Sequence, residues 1–89
     1  MYTGKELEIY ERVVKVICEK IKRKDGKVTP EMVKPESDIE KDIGATSLAV
    51  MELIIGIENE FHLDEIPESD IAQIRTVSDV VDYLFKNVN

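Results

Sequence analysis

Few side chains in this sequence carry reactive chemistry, and the best placed of them is a serine. The chain of 89 residues holds one cysteine, Cys18, and one histidine, His62. Cys18 falls at the margin of an apolar helical stripe, with no basic or histidine neighbour to lower its pKa, which makes it an inert structural thiol. His62 stands apart from any Ser/Asp constellation and reads as an exposed residue after a helix. Asp38, Glu40 and Asp42 alternate like the opening of a Ca²⁺ loop, but the glycine such a loop needs at its sixth position is Ile43 and the closing glutamate is Ala49. No catalytic residue and no metal site follow from these groups. Ser47 is different. It opens an apolar run just after Gly44, a residue whose missing Cβ permits a turn that others resist. At a helix start the first backbone N–H groups are unpaired and the dipole favours negative charge, so a phosphate ester on Ser47 would sit in a favourable anion site. On this physics alone, an ordinary N-cap role for Ser47 or Thr46 is the simpler reading.

The surrounding elements must be helical. Leu7, Ile9, Tyr10, Val13, Val14, Val16, Ile17 and Ile21 recur at three- and four-residue spacing and predict a first amphipathic helix, ended by the turn chemistry of Asp25-Gly26. Lys27 to Asp42, with Pro30 and Pro35, reads as a long ordered loop with one turn of helix where Thr29 caps and Pro30 takes the first position. A loop of that length in a small domain is itself a hint of function. A second helix runs from the Ser47 region to about Phe61, a weak segment spans Glu68 to Ile74, and a last helix starts after Thr76 with the stripe Val77, Val80, Val81, Leu84 and Val88. Thr76 with Asp79 is a near-match to a capping box. No repeat and no strand alternation stands out. The expected fold is all-α: a four-helix bundle of three longer helices and a short third one, with a long loop after helix 1, in a single domain over residues 1–89.

On a wheel at ~100° per residue, Val50, Leu53, Ile54, Ile57 and Phe61 gather on the core side of the second helix. Leu48, Met51 and Ile55 fall elsewhere, flanked by Glu52, Glu58 and Asn59. A helix buried nearly all round is less expected in so small a bundle than one exposing an apolar strip to a partner.

Charge limits the partners. The net charge is −7, with residues 1–35 at +3 and residues 36–89 at −10. Acidic surface repels nucleic acid and attracts basic protein partners. The cluster Lys20, Lys22, Arg23, Lys24 and Lys27, broken by Asp25-Gly26 and lacking an aromatic, reads as a solvated helix end. With five aromatic residues and no Trp, a large rigid enzyme cleft is hard to build. A single cysteine fits a reducing compartment, and no leader or apolar run long enough for a bilayer opens the chain, so a cytoplasmic monomer without membrane insertion is expected.

Asp42-Ile43-Gly44-Ala45-Thr46-Ser47-Leu48 resembles the modification site of acyl carrier proteins, usually Asp-Leu-Gly-Ala-Asp-Ser-Leu. Met51-Glu52-Leu53-Ile54 and Ile57-Glu58-Asn59-Glu60-Phe61 resemble that family's second helix. Glu65-Ile66-Pro67 is similar to the lead into its short third helix, and Ile74-Arg75-Thr76-Val77 to the opening of its fourth. The likeness spans nearly the whole chain. It implies a four-helix bundle that is no enzyme. It implies a 4′-phosphopantetheine arm, taken from coenzyme A by a Mg²⁺-dependent phosphopantetheinyl transferase and attached to Ser47, on whose thiol acyl groups ride as thioesters to fatty-acid or polyketide-type enzymes. By the same resemblance Leu48, Met51 and Ile55 form the partner-binding strip. Glu52 and Glu58, with Glu60 as a lesser member, meet basic patches on those enzymes, and substituting Glu52 or Glu58 is expected to leave the fold intact. The acyl chain would fold back among Leu53, Ile57, Ile66 and Ile74. Two departures stand out. Thr46 replaces the usual Asp where the loading transferase and its metal engage, and the Lys27–Asp42 loop is longer than in the commonest members, which suggests a specialised carrier. The short length argues for a freestanding protein. Peptidyl or aminoacyl carriers use the same serine but more often read Gly-Gly-x-Ser-Leu and are less acidic; an unmodified helical interaction domain is the other alternative.

Overall fold

Residues 2–23 and 26–87 are described by a computed structural model. Its helices are α1 (Gly4–Lys20), α2 (Ser47–Glu60), α3 (Glu68–Ile71) and α4 (Val77–Asn87). The stripes anticipated above meet in one core, where Val13, Ile17, Leu53, Val77, Val81 and Leu84 have no exposed surface. Each such side chain contributes about 1.5–3 kcal/mol relative to an exposed position. Leu7 departs from its stripe and is 41% exposed.

Helices α1 and α2 run antiparallel. Arg12 lies beside Glu60 and over the Phe61 ring, 4.3 Å from its centroid, while Val16 and Lys20 lie against Gly56. A Cβ on Gly56 would come within 2.8 Å of Val16 Cγ1, so a side chain there would force the helices apart. α2 then ends in a Schellman motif: the Leu63 N–H donates to the Glu58 carbonyl at 2.9 Å and the His62 N–H to the Asn59 carbonyl at 3.4 Å. His62 takes the left-handed position that glycine usually fills, with φ of 54°, and its side chain is exposed.

The first helix stops earlier than its pattern suggests. Ile21 adopts extended backbone as its C-cap and buries its side chain completely. The chain returns through a short antiparallel ladder of β1 (Lys22–Arg23) and β2 (Gly26–Lys27), in which Lys22 faces Lys27. Two-residue strands are too short to show alternation in sequence. Of the expected end signals, Asp25 lies outside the described residues, as do Lys24 of the basic cluster and Val88 of the last stripe.

The long connection is anchored rather than loose. Val28, Val33, Ile39 and Ile43 are buried, and the Tyr10 hydroxyl donates to the Val33 carbonyl at 2.9 Å. Pro30–Met32 forms one 3₁₀ turn after Thr29, as expected, although the Thr29 side chain makes no capping bond. α3 is shorter than its pattern, because after Ile71 the chain continues in tighter turns, with Gln73 N–H on the Asp70 carbonyl and Ile74 N–H on that of Ile71.

Candidate functional site

Ser47 is positioned by a turn that hydrogen-bonds to itself. Asp38 Oδ1 accepts the N–H groups of Glu40 and Lys41, and Asp42 Oδ2 accepts that of Asp38 at 2.8 Å. The Asp38 carbonyl accepts from Asp42 and Ile43. Ile43 and Ala45 are buried on either side of Gly44, which has φ of 89°. The sharp reversal at Gly44 lets both neighbours face the core while the next residues emerge into solvent. Thr46 follows as N-cap of α2, its Oγ1 accepting the Ala49 N–H at 3.1 Å, and Ser47 is the first helical residue, exposed. Among Asp38, Glu40, Asp42 and the other described residues, no group of three or more acidic, histidine or cysteine side chains is placed to hold a metal ion.

Two helix starts that look alike in sequence differ in the structure. At α4 the Val77 N–H donates to the Ser37 carbonyl at 3.0 Å and the Ser78 N–H to that of Pro35 at 2.8 Å. Thr76 and Asp79 close the capping box, each side chain accepting the other's backbone N–H. The long loop thus seals that terminus. At α2 only the third N–H, that of Ala49, is taken, and among the described residues no acceptor meets the N–H of Ser47 or Leu48. These unpaired donors and an exposed hydroxyl fit a phosphodiester.

The apolar strip is open to solvent. Leu48 is 72% exposed, Met51 51% and Ile55 53%, and Glu52 is exposed beside them. The two other carboxylates are committed elsewhere. Glu58 is half-buried and its Oε2 accepts the Ile66 N–H at 2.8 Å, so it is not the freely solvated carboxylate expected from sequence. Glu60 is turned toward α1: Arg12 Nε donates to its Oε2 at 3.0 Å, Arg12 also holds its carbonyl, and Lys15 stands 3.8 Å away. The bond from Arg12 is the main reason the Glu60 carboxyl titrates below its ordinary value. At Cys18, burial pushes the thiol pKa up, with Glu31 and Glu19 adding to the effect.

Of the residues anticipated around an acyl chain, Leu53, Ile57 and Ile66 are packed into the core, Leu53 completely. Ile74 lines a cleft of about 350 Å³ between the Asp38–Lys41 turn and the end of α3, with Val50 also in its wall. Arg12, Gly56 and the loop contacts that seal α4 escaped the sequence reading. Gly56 carried a signal, since an isolated glycine inside an apolar helix usually marks a close approach.

Residues 11–84 match the family model described as a phosphopantetheine attachment site. The chain is 47% identical to an acyl carrier protein of Syntrophobacter fumaroxidans over 60 residues, which cover 67% of this chain and 73% of that one. It is 40% identical over 81 residues to the acyl carrier proteins of Chlorobium phaeobacteroides and Chlorobium phaeovibrioides, covering 91% of this chain and 96% of each relative. These proteins are carriers rather than enzymes, and the family's cofactor is a covalently attached 4′-phosphopantetheine. With its four helices, its open α2 terminus and these relatives, the chain belongs to the acyl carrier protein family.

Proposed function

We propose that Ser47 bears the arm and that the chain delivers acyl thioesters to fatty-acid or polyketide-type enzymes. The observation that carries this reading is the contrast between the two helix starts: α4 is closed by the long loop, whereas α2 presents an exposed hydroxyl beside unpaired N–H groups. In loading, Ser47 Oγ displaces the nucleotide half of coenzyme A at the pyrophosphate and gives up its proton, leaving a phosphodiester at the helix start. When bound, the arm supplies a terminal thiol that holds acyl groups. The chain's own residues orient and present it. Leu48, Met51 and Ile55 form the docking strip, and Glu52 is its principal carboxylate, meeting basic residues beside the partner's active site. Thr46 takes part in recognition by the transferase through its place beside Ser47. Incubation with coenzyme A, Mg²⁺ and a broad-specificity phosphopantetheinyl transferase should add the mass of one arm to the wild type and none to Ser47→Ala. An arm still added to that variant would refute the assignment.

A further inference from the structure

We propose that Lys20 and Lys22 form a cationic flank of the docking surface, so that the enzyme it fits presents a carboxylate to them beside the basic residue that meets Glu52. The inference rests on the reading of the apolar strip on α2 as the place where partners dock.

The order of side chains around α2 sets up this arrangement. At about 100° per residue, Glu52 follows the strip Leu48, Met51 and Ile55, and Ala49 and Gly56 come next. There the stem of Lys20 lies along α2, with its Cγ and Cε at 3.2 and 3.1 Å from where a Gly56 Cβ would stand. Packing of the stem confines the charge at its end to this side of the helix. The chain then turns into the ladder, where Lys22 is exposed opposite Lys27. An open hollow of about 420 Å³ is lined by Glu19, Lys20 and Lys22 from the end of α1 and the ladder, and by Thr46, Ala49 and Glu52 from the start of α2. Glu52 thus has the strip on one side and the lysines on the other.

The hollow holds two lysines and two glutamates, and among the described residues neither lysine forms an ion pair. Its charge is balanced, whereas residues 36–70 hold eleven acidic side chains against Lys41. Of the other α2 carboxylates, Glu58 is bonded to the Ile66 N–H and Glu60 to Arg12. The charged rim of the strip is therefore one free carboxylate with two cations beyond it, not a row of acids. A docking patch made only of lysines and arginines gains Glu52 but sets like charge against Lys20 and Lys22. A patch of both signs gains at each point, so the lysines select against uniformly basic enzymes.

The test measures affinity of the arm-loaded chain, at low salt, for an acyltransferase of the fatty-acid type chosen for a docking patch of lysines and arginines only. Lys22→Glu, and more so Lys20→Glu combined with it, should bind this enzyme about three- to tenfold more tightly than wild type, for exposed charge contacts. Lys5→Glu makes the same charge change at the opposite end of α1 and should differ from wild type by less than about twofold. Patch residues of the enzyme are then changed to glutamate one at a time. At least one such change should tighten binding of the wild-type chain and weaken binding of the double variant. Thermal melts accompany each variant, and Lys22→Glu, at an exposed ladder position, reads the effect even where the double variant melts early. Lysine variants that bind like Lys5→Glu, or enzyme changes that act alike on both chains, would overturn the inference alone, provided that Leu48→Asp still abolishes binding. A Leu48→Asp chain that binds like wild type would remove the docking strip, and the flank with it.

Discussion

The carboxylate of Glu58 accepts the backbone N–H of Ile66 at 2.8 Å, tying the segment before α3 to the last turn of α2. A residue placed by resemblance among the docking carboxylates is therefore a brace in the structure, and experiment separates that role from the docking role expected of it. Glu58→Ala should lower stability by about 1 kcal/mol, for one hydrogen bond lost at a half-buried site, which corresponds to about 4–8 °C in melting temperature. Glu58→Gln keeps an acceptor and should recover much of that loss. Glu52→Lys, at an exposed position, should stay within about 0.5 kcal/mol of wild type while weakening association with an acyl-processing enzyme. Thermal melts beside titrations of that enzyme would check both. Equal melting of Glu58→Ala and wild type would remove the brace.

Acid should weaken the protein through Asp79 and Glu60. Burial works against ionised Asp79, but hydrogen bonds from the Arg75 and Thr76 N–H groups and the Thr76 hydroxyl outweigh it and hold its pKa below the usual value. The contact with Arg12 does the same for Glu60. A carboxyl with a lower pKa in the folded state stabilises above its unfolded value, about 3.9 for Asp and 4.3 for Glu, and loses that contribution as pH falls through the folded value. Melting temperature should thus fall below about pH 4, and Asp79→Asn should flatten that limb. An unchanged limb in this variant would place the acid sensitivity elsewhere.

Repulsion should be measurable at neutral pH. Residues 36–70 hold eleven acidic side chains against Lys41 as their one lysine or arginine. Added salt or Mg²⁺ should raise the melting temperature of the unloaded chain by screening these charges. A flat profile from low to moderate ionic strength would show that the repulsion is negligible.

Thr46 separates capping from metal chemistry. Its hydroxyl accepts the Ala49 N–H, so Thr46→Ala should cost about 1 kcal/mol, whereas Thr46→Asp keeps a cap and should melt near wild type. A carboxylate is also the better ligand for a hard cation. Loading of Thr46→Asp by a broad-specificity transferase should be faster at fixed coenzyme A and Mg²⁺. Equal initial rates would remove this residue as a determinant of loading, and a slower Asp variant would point to a transferase fitted to threonine.

The sequence by itself determined the helices, because Val13 and Ile17, Leu53 and Ile57, and Val77, Val81 and Leu84 repeat at helical spacing and bury wherever a partner face exists. It also marked the strip Leu48, Met51 and Ile55, whose offset from the core stripe is local information, whereas Ser47 was singled out by the resemblance of Asp42–Leu48 to a known motif and not by its spacing. What it left open depended on contacts between distant segments. Ser47 directly follows Thr46 and Ser78 lies two residues after Thr76, each in the first turn of its helix; only the tertiary structure put the Pro35 and Ser37 carbonyls over the start of α4 and left the start of α2 uncovered. Glu52 and Glu58 are alike in sequence, yet the return of the chain to Ile66 commits one and leaves the other exposed. The end of α1 was settled the same way, by a core that drew Ile21 inward and turned the chain back toward Lys27. Periodicity reports which face of an element is apolar, but which neighbour meets it, and which backbone groups are satisfied as a result, follows only from packing.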